Sequence, residues 1–267
     1  MSLQPSQNIA SEPSFLPNSC HPCLPPLPAS FRAKLPDQSI EFDFLDGPFE
    51  STAAPGIDLF YDGPYYSWWT GDTVEDVRAA VARLNSHIAQ HGPYDAALMF
   101  SQGCVLGSAA LLLHQEETPH LPPPFRSAIF ICGGPSMPVL EELGFQVMAG
   151  ARQRDIASRN ALAKQAGNAA ILSQGNSRWT GLDALTGGLS EEELRREIEC
   201  PFRVVVPTVH VYGSKDPRYS AGVHLSAICE PEKRRSFDHE GGHEIPRNTR
   251  VSDSIAELVQ WVLGQSA

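Results

Sequence analysis

The sequence has no uninterrupted apolar run near the roughly 20 residues that a membrane-crossing helix needs. Its first 30 residues also lack the basic start and apolar stretch of a secretory signal, so a cytoplasmic chain with no membrane span is the default expectation. Positive charge is scarce: 20 Lys and Arg stand against 31 Asp and Glu, for a net charge of −11. Such a surface repels polyanions and excludes nucleic acid and anionic lipid as generic partners. Cysteine is too thin for a disulfide framework, with six residues spread over 267. Cys104, Cys132 and Cys229 sit in apolar or helix-like surroundings, where a reduced, buried thiol is unremarkable.

Only Cys20 and Cys23 have a suggestive spacing, in Cys20-His21-Pro22-Cys23, open to a redox or zinc reading. A redox pair needs a strand before it and a helix after it to lower the thiol pKa. This one lies among Pro13, Pro17, Pro25, Pro26 and Pro28, which argues against both. Residues 1–30 as a whole are rich in Pro, Ser and Asn without apolar periodicity, the composition of a disordered tail.

Globular sequence begins after it, and the 42% hydrophobic content is enough for one sizeable core, so residues 31–267 form one expected domain. Ile40, Phe42, Phe44 and Leu45 make a strand-like run that ends at Asp46-Gly47-Pro48. Val74, Val77, Val81, Leu84 and Ile88 recur at helical spacing, predicting an amphipathic helix over 73–89. Ala96–Phe100, Ser127–Cys132 and the run within Val204–Tyr212 read as interior strands, and Ser252–Leu263 as a closing helix. Residues 137–200 hold helical stretches broken by glycines and no strong strand, which predicts cap helices. Strands alternating with helices imply an α/β fold with a mostly parallel sheet.

Three residues carry candidate chemistry. A serine hydroxyl is a weak nucleophile at neutral pH, so hydrolases put it on a sharp strand-to-helix turn beside a base and backbone N–H groups. Phe100-Ser101-Gln102-Gly103 fits that placement, with the Gln102 N–H as the expected oxyanion donor. The motif is Gly-x-Ser-x-Gly, and Met99 occupies its first glycine position, where it crowds the turn. Asp216 follows a strand through Gly213-Ser214-Lys215, at the carboxyl end where open α/β sheets hold ligands. His243 lies in a Gly241-Gly242 loop, so the chain order is Ser, Asp, His. His239 competes for the role of base, though it reads better as a surface or hydrogen-bonded strand-end histidine. His239 to His243 also matches His-Glu-x-x-His, but a zinc site of that type needs a helix, which Gly241, Gly242 and Pro246 oppose.

These residues sit within longer motifs: Phe44-Leu45-Asp46-Gly47-Pro48-Phe49-Glu50, Tyr61-Asp62-Gly63-Pro64-Tyr65-Tyr66-Ser67-Trp68, Phe100-Ser101-Gln102-Gly103, Gly213-Ser214-Lys215-Asp216 and Gly241-Gly242-His243. On them the chain resembles the fungal FSH-type serine hydrolases, an α/β-hydrolase group, from about Phe31 to the C-terminus. The resemblance implies Ser101 as nucleophile, Asp216 as orienting acid and His243 as base. It also implies esterase or thioesterase activity without metal or organic cofactor, in a family some of whose members release polyketide acyl chains from a synthase. The partner so implied is a small-molecule or carrier-bound acyl substrate, and through it a polyketide synthase. Family members begin with a buried strand and a Leu-His-Gly type loop that gives a second oxyanion N–H. Here the Pro-rich tail stands in that place, so the first strand is expected to be missing. The aromatic loop with Tyr65, Tyr66, Trp68 and Trp69 is open to two readings, acyl-pocket lining or core. The rival to an enzyme is an impaired hydrolase-fold binding or scaffold protein, motivated by Met99 and the missing strand.

Overall fold

The computed structural model describes residues 8–13, 30–35, 40–53, 62–164, 179 and 186–265. Cys20 and Cys23, with most of the Pro-rich tail, lie outside the described residues.

Short apolar runs bounded by turns become the strands of one sheet. Strands β1 (Asn8–Pro13), β2 (Glu41–Phe44), β5 (Ala96–Phe100), β6 (Ala128–Ile131), β9 (Thr208–Tyr212) and β10 (Arg234–Asp238) lie in the order β10-β9-β6-β5-β1-β2. All five pairings are parallel. β5, β6 and β9 are buried at every position, as expected of strands covered on both faces. Strands β3 (Phe49–Ser51) and β4 (Tyr65–Ser67) form a separate antiparallel pair, as do β7 (Gln146–Val147) and β8 (Ile198–Glu199).

The predicted first helix is α1 (Val74–His91), opened by a Thr73–Asp76 capping box, with Val77, Val81 and Leu84 buried and Val74 and Ile88 packed against the same core. It lies beside α2 (Gln102–Glu117), which is buried from Gly103 through Leu113. The 137–200 stretch contains α3 (Met137–Glu142), α4 (Ala149–Lys164) and α5 (Glu191–Arg195). α6 (Tyr219–Ala227) follows β9, and α7 (Thr249–Gly264) closes the described chain with Ile255, Val259 and Val262 buried. One core layer gathers α1, α2 and one face of the sheet, and the other joins α7 to the opposite face.

One expectation is corrected. The first strand is not missing: Asn8–Pro13, inside the supposed disordered tail, forms β1 between β5 and β2. Its register sets Ile9 against Ala96 and Pro13 against Phe100, so it ends level with the residue before Ser101. A strand flanked on both sides draws its order from its neighbours' backbone hydrogen bonds. Composition therefore says little about it, and its one proline that would disturb a ladder stands at the strand end.

Candidate active site

β5 ends at Phe100 and α2 begins at Gln102, which leaves Ser101 alone to turn the chain. It does so at φ 53°, ψ −110°, a left-handed conformation that costs a non-glycine residue on the order of 1–3 kcal/mol and persists only where its surroundings enforce it. They do so here. The Ser101 N–H donates to the Ile131 carbonyl at 3.0 Å, and Gly133 lets the end of β6 close in: a Cβ there would lie 2.5 Å from the Ser101 carbonyl oxygen.

The crowding expected from Met99 is relieved from the far side. Met99 is 2% exposed, and its Sδ fills the space over Gly107 on α2, where a Cβ would come within 1.8 Å of it. The glycine absent at position 99 thus has a counterpart eight residues on, in Gly107. Gln102 is anchored as well, its Oε1 accepting from the Trp68 N–H at 3.1 Å.

Asp216 stands on the loop after β9 and is 3% exposed. Its Oδ1 accepts from the Arg218 N–H at 2.7 Å. The loop lies against the Gly241-Gly242 turn so closely that a Cβ on Gly213 would sit 2.1 Å from the Gly241 carbonyl oxygen. From that turn His243 reaches both partners. Its Nδ1 lies 2.9 Å from Asp216 Oδ2, and its Nε2 lies 3.0 Å from Ser101 Oγ. With a carboxylate facing Nδ1, the proton belongs on that nitrogen, and Nε2 is left to accept from the hydroxyl. Ser101 thus meets two residues more than a hundred positions further along the chain, at the carboxyl ends of β5, β9 and β10.

His239 is turned away from Ser101. It is 5% exposed, its Nδ1 accepts from the Gly241 N–H at 3.2 Å, and its Nε2 lies 3.5 Å from Cys132 Sγ. Burial holds its pKa below the usual histidine value. His239 and His243 do not share a helix, and Glu240 between them has φ 61°. Tyr65 and Tyr66 are half-buried on β4, but Trp68 is 2% exposed inside the core with Trp69 and Val77. Of the two readings of this loop, the burial of Trp68 favours core packing for that ring.

Three residues near the site escaped sequence reasoning. Trp179, 5% exposed, lays its ring on Gly242, where a Cβ would meet ring carbons at 2.3 Å. The only sequence signal is that glycine, needed where a ring approaches bare backbone. Arg218 is buried, pairs with Asp155 of α4 at 2.8 Å and donates to Ser158 Oγ at 2.7 Å. Burial pushes the Asp155 pKa up, but Arg218 and Arg159 outweigh it and hold the carboxyl below its usual value. Arg159 in turn pairs with Asp72 at 3.0 Å. Cys132 is buried as expected, yet it is not in featureless surroundings. It takes φ 52° at the end of β6, its S–H donates to the Glu244 carbonyl at 3.5 Å, and burial followed by the Asp216 charge pushes its thiol pKa well up.

The chain is similar to known proteins in sequence and in fold. Esterase FPY3 of Fusarium mangiferae is 28% identical over 85% of this chain and 83% of its own length. Esterase alnB of Emericella nidulans is 27% identical over 86% and 88%, and Serine hydrolase cnsH of Penicillium expansum is 26% identical over 79% and 95%. Among solved structures, acyl-protein thioesterase 2 of Zea mays superposes with a TM-score of 0.50 at 14% identity, over 97% of this chain and 94% of that one, a likeness of α/β-hydrolase fold. Residues 28–255 match the family described as Serine hydrolase (FSH1), a span that runs from before β2 into α7 and takes in Ser101, Asp216 and His243. On that match the chain belongs to the FSH1 family of serine hydrolases.

Proposed function

We propose that the chain cleaves an acyl ester or thioester through a covalent acyl-serine at Ser101. The observation that carries this reading is the unbroken relay from Ser101 Oγ through His243 to Asp216, at 3.0 and 2.9 Å. His243 Nε2 takes the hydroxyl proton as Oγ attacks the acyl carbon, and the buried Asp216 carboxylate steadies the imidazolium. The imidazolium then protonates the leaving alcohol or thiol. Water, deprotonated by the same nitrogen, releases the acid and restores the serine.

The oxyanion forms beside the start of α2. The first N–H groups of a helix have no intrahelical acceptor, so the Gln102 N–H is available to the developing charge. β1 ends opposite Phe100, level with the nucleophile, while the residues that follow it are outside those described. A donor there would be worth about 10² to 10³ in rate. The presence of β1 and the space that Met99 finds over Gly107 support the enzyme reading over an impaired scaffold protein.

The finer proposal is a carrier-bound acyl substrate of the polyketide type, supported by the resemblance to a family whose members include polyketide-releasing thioesterases. A panel of acyl N-acetylcysteamine thioesters and p-nitrophenyl esters tests both levels. The expected result is turnover that Ser101→Ala lowers by about 10⁴-fold or more, with long-chain and polyketide-like thioesters preferred. Equal turnover by Ser101→Ala would overturn the mechanism. A preference for simple esters would overturn the thioester reading alone.

A further inference from the structure

Beside the catalytic relay lies a thiol that hydrolysis does not use, and with two members of that relay it makes a donor set. Cys132 Sγ, a carboxylate oxygen of Asp216 and a ring nitrogen of His243 all lie within 4.8 Å of one another. They arrive from the ends of three different strands, β6, β9 and β10, and all three residues are buried or nearly so. Thiolate, imidazole and carboxylate together are the donors of a borderline-soft divalent cation.

We propose that Cys132, Asp216 and His243 form an inhibitory zinc site that switches the hydrolase off. The inhibition rests on the catalytic reading above; the binding does not. Zinc bonds of about 2.0 Å to nitrogen and oxygen and 2.3 Å to sulfur, at tetrahedral angles, set N and O about 3.3 Å apart and put sulfur about 3.6 Å from each. His243 Nδ1 and Asp216 Oδ2 already stand 2.9 Å apart, so these two ligands need shift by only a few tenths of an ångström and the thiol by about 1 Å. Asp216 Oδ1 keeps the Arg218 N–H, which leaves Oδ2 for the metal.

His239 is not the fourth ligand. Its Nδ1 accepts the Gly241 N–H, so its Nε2 carries the proton, and that nitrogen points at Cys132 Sγ. Water takes the fourth position. This separates the site from the His-Glu-x-x-His reading, which needs both histidines on the metal.

The protons balance simply. Cys132 gives its thiol proton to solvent and binds as thiolate. The Nδ1 proton of His243 passes to Nε2 as the metal takes Nδ1. One zinc ion is bound and one proton is released, and Cys132, Asp216 and the ion together are neutral. With Nε2 now protonated, His243 can donate to Ser101 Oγ but cannot accept its proton, and the nucleophile is left without a base. The Gly242 and Glu244 carbonyls of the His243 loop face the thiol at 4.0 and 3.5 Å.

The test uses the full chain with Cys20→Ser and Cys23→Ser, which removes the other paired thiols. Cadmium titration is read by the ultraviolet thiolate-to-metal absorbance, and zinc titration by turnover and fluorophosphonate labelling. The expected result is one thiolate–cadmium site per chain, loss of turnover and labelling with zinc, and recovery with EDTA. Cys132→Ala and Cys132→Ser, each compared with its own metal-free rate and checked for folding by circular dichroism, lose the absorbance and need at least about tenfold more zinc for half-inhibition. No absorbance in the parent, or equal zinc sensitivity in folded Cys132 variants, would overturn the site. Absorbance that depends on Cys132 with turnover and labelling unchanged by zinc would uphold the site and overturn its inhibitory role. Failure of the metal-free parent to label at Ser101 would count against the catalytic reading instead.

Discussion

Met99 and Gly107 show how one substitution in a motif is absorbed by another residue out of its sight. The sequence shows Met99 where the nucleophile turn ordinarily has glycine, and crowding is the natural expectation. It cannot show that the thioether lies over a glycine eight positions on, because that pairing belongs to the packing of β5 against α2. The account predicts that Gly107→Ala destabilises the chain by about 1–3 kcal/mol, since the methyl has to displace a fully buried side chain. Met99→Ala should offset much of that loss, with a coupling of about 0.5–3 kcal/mol in a double-mutant cycle by urea unfolding. Strictly additive effects would show that the two side chains do not share the space. Ser101, Asp216 and His243 were legible for the opposite reason. Each sits in a short local motif, and their order along the chain narrows the fold. Cys132, Arg218 and Trp179 had no such motif, because what they do near the site depends on residues far away in sequence.

Among elements, α4 and the loop after β9 are tied by a buried ion pair, Asp155–Arg218, whose side chains are 9% and 8% exposed. Arg218 follows Asp216 by two residues and lends it a backbone N–H, so the tie also fixes the carboxylate that faces His243. Arg159 extends the tie to Asp72, just ahead of α1. Breaking a buried pair on one side leaves the other charge stranded, at a cost of about 3–5 kcal/mol. Arg218→Ala is therefore expected to lose stability in that range and to lower kcat/KM. Asp155→Asn should follow it, and the double variant should lose less than the sum. Independent effects on kcat/KM would contradict the idea that α4 steadies the acid loop. Helices α1 and α7 were legible from apolar periodicity. The role of α4 was not, because its anchoring comes from charged residues that a sequence presents only as polar surface.

For the whole molecule, the sheet depends on its least legible strand. Four of the six strands of the sheet drew notice from apolar runs, while β1 lies in a stretch whose composition reads as a tail. It is flanked by β5 and β2, so without it β2 has no partner in the sheet. A proline at Ala10 would remove a ladder hydrogen bond from this interior strand. Ala10→Pro is expected to lose cooperative urea unfolding or to lower its midpoint markedly, and an unchanged midpoint would contradict the placement of β1. The sheet matters because it carries Ser101, Asp216 and His243 to one end, and the account stands or falls on what that end does. The most direct measurement is fluorophosphonate labelling of the full chain followed by peptide mapping. The account predicts a single phosphonylated residue, Ser101, with labelling sharply slowed in His243→Ala. Labelling elsewhere, or equal labelling of the His243→Ala chain, would contradict it.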